Sequence, residues 1–382
     1  MNTFALTNCR IVTADTVPTG SLLVCAGRIA DLAPGAATAC PGSIDCEGDF
    51  IVPGLIELHT DHLEAHFKPR PKVLWPVESA VLAHDAQIAA SGITTVLDAL
   101  RVGSNAGDDV AIGRNMRRLA EAIGGARAEG MLRADHLLHL RCELACEDTV
   151  ADTEAFLDDP SLRLISLMDH TPGQRQFTKL EKFREYYGGK TGMSAAELER
   201  YIGQCQVAHD ALAAPNRRRI VALARERRIP LASHDDTTPE HVAEAAEDGV
   251  TIAEFPTTVK AAKLSRGLGM HVLMGAPNLV LGGSHSGNVS AQLLAEAGLL
   301  DILSSDYVPL SLLHAAFTLP ARVPEIALPT AIRLVTLNPA RATGLADRGE
   351  IAAGKRADLV RVRMVQGLPV VRAVWREGER VA

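Results

Sequence analysis

The feature that most constrains the fold of this 382-residue chain is a series of eight short apolar runs that alternate with helical stretches. Several of the runs end in an ionisable residue. The runs lie at residues 55–61, 94–100, 136–143, 164–170, 230–235, 250–255, 271–276 and 302–306. Eight strands joined by helical crossovers predict an α/β fold in which a parallel (β/α)8 TIM barrel closes on itself. We therefore expect catalytic residues at the carboxyl ends of these strands, where such barrels carry their active sites.

The stretches between the runs have helical patterns. Residues 197–227 predict two helices that break near Pro215, because proline removes a backbone donor and clashes with the preceding turn. Shorter helices are predicted at 241–248 and 290–299. These helices supply the crossovers that parallel strands require.

The two ends of the chain differ from its middle. Residues 1–50 and 355–381 contain short alternating runs separated by turn residues, which predict antiparallel hairpins. Neither end is long enough to bury a core alone, so we expect both to join in one small β-sandwich. The predicted domains are this sandwich, residues 1–52 and 345–382, and the barrel, residues 53–344.

Composition and charge exclude several classes of protein. Apolar residues make up 47% of the chain, enough for a sizeable core, and the absence of an 18-residue apolar run predicts no membrane span. A net charge of −7 argues against a nucleic-acid partner but leaves room for a small anionic substrate in a locally basic site. Scattered cysteines and an N-terminus without a secretory signal predict reduced thiols and a cytoplasmic location.

The segment IVPGLIELHTD, residues 51–61, contains the first run and ends in a His-x-Asp pair. Side chains alternate faces along a strand, so His59 and Asp61 point the same way and can chelate one metal ion. The alternative is a strand that leaves the core with two solvated polar residues. On this pair alone both interpretations stay open.

Three loops are candidate anion-binding segments. A glycine-rich segment lies before a helix predicted at about Ser290, where backbone N–H groups can hold phosphate, and the other two segments are basic. The alternative for each is an ordinary turn or a solvated basic loop, but all three are expected on the catalytic face. Their residues are Gly282, Gly283, Ser284, His285, Ser286 and Asn288; Lys68, Arg70 and Lys72; and Gln174, Arg175, Gln176 and Lys179.

The two terminal motifs identify a family. IDCEGDFIVPGLIELHTD and LNPARATGLADRGEIAAGKRADLV resemble the opening and closing signatures of the amidohydrolase superfamily. Within it, HTDHLEAHFKPRP, LMDHTPGQRQF, ASHDDTTPEHV and GAPNLVLGGSHSGNVSA resemble the diphosphatases of the carbon-phosphorus lyase pathway. This resemblance covers nearly the whole chain. It implies the amidohydrolase type of TIM barrel with a small β-sandwich, and a functional link to other proteins of that pathway.

The resemblance also implies a site with two divalent ions. Zinc is the first choice, but Asp61 stands where a second histidine is common, and the extra carboxylate makes manganese or iron alternatives. Glu143 would bridge the ions, and Asp306 would also be the base that takes a proton from water. The alternative is that Glu143 pairs with Arg141 at the surface, and that His170, His234 and Asp306 cap turns or helices. The implied ligands are His59, Asp61, Glu143, His170, His234 and Asp306. The implied substrate-binding residues include His62 and Glu64, which follow the metal pair, and the candidate anion-binding residues above.

The expected activity is hydrolysis of a ribose 5-triphosphate that bears a 1-phosphonate, with release of diphosphate. Two alternatives remain at this stage. One is another amidohydrolase reaction, such as deacetylation of an amino sugar phosphate, cyclic amide hydrolysis or deamination. The other is a non-catalytic scaffold, which has no reason to keep ligands at several strand ends. The sequence leaves the oligomeric state open, with a homodimer among the options.

Overall fold

The computed structural model describes residues 3–35, 42–70, 72–103, 115–177, 180–191, 193–284 and 287–382. Strands and helices alternate along most of this length. The strands in chain order are β1 (Thr3–Ile11), β2 (Thr19–Cys25), β3 (Arg28–Pro34), β4 (Ile44–Asp45), β5 (Phe50–Pro53), β6 (Leu55–Thr60), β7 (Ile93–Val102), β8 (Asp135–Glu143), β9 (Leu162–Met168), β10 (Leu231–His234), β11 (Ile252–Glu254), β12 (His271–Gly275), β13 (Ile302–Ser304), β14 (Leu359–Val365), β15 (Leu368–Arg376) and β16 (Glu379–Arg380).

The helices lie mainly between the strands β6 to β14. In chain order they are α1 (His62–Phe67), α2 (Val77–Ala90), α3 (Met116–Ala128), α4 (Thr149–Glu154), α5 (Leu180–Thr191), α6 (Ala195–Arg227), α7 (Pro239–Glu247), α8 (Val259–Gly267), α9 (Ala276–Leu281), α10 (Ala291–Glu296), α11 (Ser311–Arg322), α12 (Leu328–Arg333) and α13 (Leu337–Ala342), with a 3₁₀ turn at Arg175–Phe177.

Strands β6 to β13 form one parallel sheet in which each strand lies beside the next strand of the chain. The first and last of them meet in a parallel bridge between Thr60 and Asp306, which closes the sheet. Each of the eight predicted runs overlaps one of these strands, so the predicted (β/α)8 barrel is confirmed.

The terminal segments meet in a second sheet of eight strands. Its order is β16-β15-β14-β5-β1-β2-β3, with β4 paired to β1. Strand β14 is antiparallel to β5, which joins the end of the chain to its beginning. Buried residues from both ends, such as Leu22, Ile51 and Trp375, share one apolar core. The prediction that the two ends of the chain join is confirmed in the form of this shared sheet, while their description as a separate β-sandwich domain stays a prediction.

Helix α6 corrects the sequence interpretation. Pro215 lies inside one continuous helix of 33 residues, where we expected a break. Ser194 and Glu197 form a capping box that starts the helix, and Ile202 and Ile220 are buried on either side of the proline. Burial along both halves stabilises the helix despite the backbone hydrogen bond that proline removes.

The chain divides into two compact units. The first comprises Met1–Asp98, Ile123–His136 and Met274–Ala382, and the second comprises Ala99–Ala122 and Leu137–Leu273. The domain boundaries at 52/53 and 344/345 stay a prediction. Within the part of the chain that the structure describes, no helix is both long enough and apolar enough to traverse a bilayer.

Candidate active site

Three residues just after barrel strands have an unusual backbone conformation. Asp235 follows β10, Phe255 follows β11 and Asp306 follows β13, and their φ angles are 57°, 51° and 54°. Residues other than glycine seldom adopt this left-handed region, and such conformations cost about 1–3 kcal/mol each and cluster at functional sites. This conformation therefore supports a functional site at the carboxyl ends of the barrel strands.

In the first unit, a buried carboxylate fixes the ends of β6 and β13. Glu57 is fully buried and accepts hydrogen bonds from the His59 backbone N–H at 2.7 Å, Ser304 Oγ at 2.8 Å and the Ser305 N–H at 2.5 Å. Burial raises the pKa of Glu57, although the hydrogen bonds from Ser305, His59 and Ser304 oppose the shift. These contacts tie the strand that carries His59 to the strand that precedes Asp306.

The next residue of β6 holds the backbone of Asp306. Thr60 Oγ1 donates to the Asp306 carbonyl oxygen at 2.8 Å, and the Asp306 N–H donates to Ser304 Oγ at 3.4 Å. Asp61 follows Thr60 and begins the turn into α1. His59, Asp61 and Asp306 therefore lie at the ends of two neighbouring strands, as the sequence predicted.

A chain of buried histidines and carboxylates extends from this strand end. His62 Nδ1 lies 3.1 Å from His84 Nδ1, and His84 Nε2 lies 2.8 Å from Asp98 Oδ1. His136 Nδ1 lies 2.8 Å from Asp98 Oδ2, and His136 Nε2 lies 3.3 Å from Asp85 Oδ1. We call these five residues the histidine relay. All of its members are buried.

Charge is distributed unevenly along the histidine relay. Burial alone lowers the pKa of His136, but Asp98 and Asp85 outweigh it and raise that pKa to about 9. At the other end, burial and then His84 and His66 lower the pKa of His62 to about 4. A positive charge therefore resides at His136, while His62 is neutral at neutral pH.

In the second unit, Glu143 at the end of β8 holds His170. Glu143 Oε1 accepts from the His170 backbone N–H at 2.9 Å, and Oε2 accepts from His170 Nδ1 at 2.6 Å. Arg101 Nη2 lies 3.6 Å from Oε2. Burial opposes ionisation of Glu143, but His170 and Arg101 outweigh it and lower the pKa to about 2.

A second carboxylate orients His234 in the same way. Glu254, at the end of β11, is fully buried, and its Oε2 lies 3.3 Å from His234 Nδ1. Ser166 Oγ donates to the same oxygen at 2.6 Å and lies 2.5 Å from His139 Nε2. Both His170 and His234 therefore have Nδ1 directed at a carboxylate, which leaves Nε2 as the nitrogen that can bind a ligand.

The second unit also contains a cavity of about 990 Å³ beside His170. Two aromatic side chains, Tyr187 and Tyr201, line it together with Arg101 and Arg200. This volume lies at the upper end of the usual range for small-molecule sites. The cavity can therefore accept a substrate that reaches His170.

Comparisons with known proteins agree with this architecture. A model of the amidohydrolase family matches residues 166–382. The chain is 49% identical over 379 residues to the alpha-D-ribose 1-methylphosphonate 5-triphosphate diphosphatase of Escherichia coli (strain K12), an alignment that covers 98% of this chain and 99% of that protein. The chain belongs to the amidohydrolase family. The family resemblance stated from the sequence is confirmed.

Solved amidohydrolase structures share the fold. N-isopropylammelide isopropylaminohydrolase from Burkholderia multivorans ATCC 17616 matches with a TM-score of 0.66 at 17% identity, covering 100% of this chain and 98% of that one. The 5-methylcytosine deaminase from Klebsiella pneumoniae matches with a TM-score of 0.66 at 14% identity, covering 99% of this chain and 97% of that one. At these identities the likeness concerns the fold alone.

The family uses divalent metals, and one group of residues in this amidohydrolase fits such an ion. Asp235 Oδ2 lies 3.5 Å from His234 Nε2 and 3.9 Å from His170 Nε2. Two ligands of one ion, each about 2.1 Å from it, are at most about 4.2 Å apart. Both distances meet that limit, and imidazole and carboxylate are suitable donors for zinc, iron and manganese.

Some predicted contacts differ in this amidohydrolase. Both oxygens of Glu143 face His170, so the structure supports an orienting role, and the bridging role stays a prediction. Arg175 is only 5% exposed, and its guanidinium pairs with Asp236 and, at 3.2 Å, with Glu244. A buried guanidinium with two carboxylate partners has little capacity left for phosphate, so this geometry does not support the predicted substrate contact.

The glycine-rich loop differs from the predicted anion-binding segment. Helix α9 separates β12 from this loop, so the loop does not follow a strand directly. The N–H of Gly283 donates to the Asn278 carbonyl at 2.9 Å, and that of Gly287 donates to the Ser284 carbonyl at 3.3 Å, so neither amide points at a ligand. Ser290 caps α10, as the sequence predicted. Lys179, His285 and Ser286, which were predicted to bind the substrate anion, lie outside the described residues.

The other predicted substrate residues follow β6. His62 and Glu64 lie on α1, Lys68 ends that helix, and Arg70 is exposed and forms a bridge with Val73. Their location after the strand end agrees with the prediction, while their role in binding stays a prediction.

Sequence reasoning missed several residues that shape the site. Asp98, Asp235 and Glu254 all lie within the predicted apolar runs, at or near their ends. Applying the strand-end rule to every ionisable residue would have found them. Glu57 is two residues before His59 on the same strand face, which was the signal for its supporting role. Arg101 is likewise an ionisable residue at a strand end, that of β7, and the strand-end rule would have identified it as well.

Proposed function

We propose that this chain hydrolyses alpha-D-ribose 1-methylphosphonate 5-triphosphate to the 5-phosphate and diphosphate, as a metal-dependent step of phosphonate catabolism. The observation that carries the proposal is the 49% identity, across almost the full length of both chains, to the Escherichia coli diphosphatase of that name. Histidines and carboxylates at the barrel strand ends are the chemistry that such a hydrolase needs.

For the metal, we propose two divalent ions, with zinc as the first choice and manganese or iron as alternatives. The proposed ligands are His59, Asp61, Glu143, His170, His234 and Asp306, and Asp235 is added from the structure. Divalent ions held there would polarise a phosphoryl oxygen and lower the pKa of the attacking water. Glu143 contacts His170 Nδ1, and Glu254 contacts His234 Nδ1. These contacts make Nε2 the nitrogen with which each histidine would bind an ion.

Asp306 is the proposed general base. Water loses its proton to the Asp306 carboxylate and attacks the α-phosphorus, the bond from that phosphorus to the bridging oxygen breaks, and diphosphate leaves. Asp306 then returns the proton to solvent or to the leaving group. The hydrogen bond from Thr60 Oγ1 to the Asp306 carbonyl oxygen holds the backbone of Asp306, which has a left-handed conformation. This contact positions the Cα atom from which the Asp306 carboxylate extends.

We assign part of the triphosphate to the cavity beside His170. Arg101 lines the cavity and reaches Glu143, so its guanidinium lies at the His170 side of that space. A charge-assisted contact to phosphate is worth roughly 1.5–3 kcal/mol, or about tenfold to a hundredfold in binding. Arg101→Gln is expected to raise KM for the triphosphate by that factor. The matched control is Arg117→Gln, an exposed arginine paired with Asp152, which should leave KM unchanged.

The activity itself is tested with a panel of substrates in ¹⁸O-labelled water. The ribosyl triphosphate should be cleaved with the label in the ribose 5-phosphate product and none in diphosphate, since attack is at the α-phosphorus. An N-acetylated sugar phosphate, a cyclic amide and an aminopyrimidine should not react. Turnover of one of these three without diphosphate release would reject the proposal in favour of another amidohydrolase reaction.

A further inference from the structure

The cavity beside His170 has two walls of different chemistry. One wall is formed by the ends of barrel strands and the loops that follow them, and it contributes Arg101, Glu147 and Asp148 as well as His170. The other, which we call the helical wall, is formed by α5 and the first turns of α6. Its aromatic and polar side chains are Tyr187, Arg200, Tyr201 and Gln204. A substrate that has its α-phosphate at His170 and fills the cavity contacts both walls.

A small apolar core holds the aromatic side chains of the helical wall. Phe183, Leu198 and Ile202 are buried where α5 packs on α6. The ring of Tyr187 stacks on Phe183 with centroids 4.3 Å apart and an interplanar angle of 19°, and the ring of Tyr201 lies 6.4 Å from Phe183. Both tyrosines also line the cavity. Their positions are therefore set before a ligand binds, which lowers the entropy cost of binding.

The side chains of the helical wall are suited to contact with C–H groups. Beside the two tyrosines, α6 contributes Ala208, Ala211 and Leu212 to the cavity. Such surfaces gain free energy from contact with carbon, whereas burying phosphate oxygens against them costs free energy. In a ribosyl triphosphate that bears a 1-phosphonate, the ribose ring and the alkyl group carry C–H groups, and the β- and γ-phosphates carry none. The helical wall therefore matches the sugar and phosphonate end of the substrate.

The charge of the lining favours the same end. Its arginines are Arg101 and Arg200 and its carboxylates are Glu147 and Asp148, so, apart from His170, the lining that the structure describes has no net charge. The β- and γ-phosphates together carry about three negative charges near neutral pH, because the second pKa of a terminal phosphate is about 6. A phosphonate ester carries a single negative charge. One arginine at the helical wall balances the phosphonate but would leave a diphosphate group largely uncompensated.

Arg200 is exposed on α6 and lines the cavity, so its guanidinium can reach a ligand without breaking a buried contact. A guanidinium matches two oxygens of a phosphoryl or phosphonyl group. We propose that Arg200 binds the 1-phosphonate of the substrate, while Tyr187 and Tyr201 pack against the ribose and the alkyl group. Arg200 is then a specificity-determining residue, and the diphosphate leaving group lies away from the helical wall. The proposal rests on the proposed function, because it assumes a ribosyl triphosphate in this site.

Equilibrium binding tests the assignment without catalysis. Calorimetry compares the product, ribose 1-methylphosphonate 5-phosphate, with ribose 5-phosphate, which lacks the phosphonate. The unaltered protein should bind the product more tightly. Arg200→Gln should weaken binding of the product about tenfold to a hundredfold and leave the affinity for ribose 5-phosphate unchanged. Arg218→Gln is the matched control, because Arg218 is an exposed arginine of the same helix outside the cavity lining, and it should bind both ligands as the unaltered protein does.

Kinetics with two triphosphates separates the roles of the two arginines. Arg200→Gln should raise KM for the ribosyl methylphosphonate triphosphate by the same factor, with little change in kcat, and should not affect ribose 5-triphosphate. Arg101→Gln should raise KM for both, since both carry the α-phosphate. Where turnover of ribose 5-triphosphate is slow, its inhibition constant replaces KM. Inhibition by inorganic diphosphate should be the same in Arg200→Gln and in the unaltered protein.

Equal losses of affinity for the two 5-phosphates in Arg200→Gln, or unchanged affinity for both, would overturn the proposal. So would weaker inhibition by diphosphate, which would place the leaving group at the helical wall. Failure of the proposed function gives a different result, since the unaltered protein then hydrolyses no ribosyl triphosphate. Binding that depends on both Arg200 and the phosphonate would in that case still show the phosphonate site, and the absence of such binding would reject the site together with the function.

Discussion

Glu143 accepts two hydrogen bonds from a single residue, His170, one from its backbone N–H at 2.9 Å and one from its ring Nδ1 at 2.6 Å. This pairing sets both the position and the tautomer of the histidine. Glu254 faces His234 Nδ1 at 3.3 Å in the same manner. A carboxylate behind each histidine is the arrangement that supports a ligand for a divalent ion.

Glu143→Gln tests this support. The amide keeps the shape of the side chain but loses the charge and one of the two acceptors, so His170 Nδ1 has a weaker partner. We expect the dissociation constant of the metal to rise by about 10- to 100-fold, measured by competition with a coloured chelator. Glu147→Gln, at an exposed position, is the control and should not change metal affinity. An unchanged affinity in Glu143→Gln would remove this role from Glu143.

His136 makes the stability of the fold depend on pH. Its pKa in the folded protein is about 9, above the ordinary 6.5, so its protonation stabilises the fold. That contribution is complete below pH 6.5 and is lost as pH rises through 9. The groups that face His136 are Asp98 on β7 and Asp85 and His84 on α2. A shift of this size corresponds to roughly 3 kcal/mol.

The matching experiment is urea unfolding of His136→Gln beside the unaltered protein at several pH values. We expect the difference in unfolding free energy between them to be largest near about pH 6 and to shrink by roughly 3 kcal/mol towards about pH 9.5. A difference that stays constant over this range would show that His136 is not charged in the folded protein.

We expect Arg175→Ala mainly to lower the free energy of unfolding. It removes a buried guanidinium and leaves Asp236 without its partner, a type of change that costs about 3–5 kcal/mol. Arg219→Ala is the control, because its pair with Glu154 at 2.6 Å is exposed and is worth at most about 1 kcal/mol. Thermal unfolding should separate the two variants clearly. Full stability of Arg175→Ala with a raised KM would restore the sequence prediction that Arg175 holds phosphate.

Asp306→Asn separates the base from the metal ligands. The amide keeps an oxygen that can contact an ion but cannot take a proton from water. We expect kcat to fall by roughly 10²–10⁴, the usual contribution of a positioned general base, with only a modest loss of bound metal. His234→Asn should instead lose metal first. Near-normal turnover of metal-loaded Asp306→Asn would show that Asp306 is not the general base and that another carboxylate takes the proton.

Most strands of the barrel could be predicted from the sequence, because a buried parallel strand must be apolar along its length. The runs at 55–61 and 136–143 identified β6 and β8 within a residue or two. His59, Asp61 and Asp306 could be predicted because their positions depend on strand ends, which the local pattern defines. The barrel closure between Thr60 and Asp306 follows from the same count of strands.

Contacts between side chains distant in sequence could not be predicted. Arg175 looked like a phosphate-binding residue because its partners Asp236 and Glu244 lie about 60 to 70 residues away in sequence. Pro215 looked like a helix break because local propensity does not include the burial that stabilises α6 on both sides. The histidine relay joins α1, α2, β7 and β8, so no single segment contained its pattern.

The most direct test of the central claim follows the ribosyl triphosphate by ³¹P NMR with metal-free protein, before and after a divalent ion is restored. We expect no turnover without metal, and equal amounts of the 5-phosphate and diphosphate once zinc, manganese or iron is returned. Undiminished turnover by the metal-free protein, or orthophosphate as the first product, would contradict it.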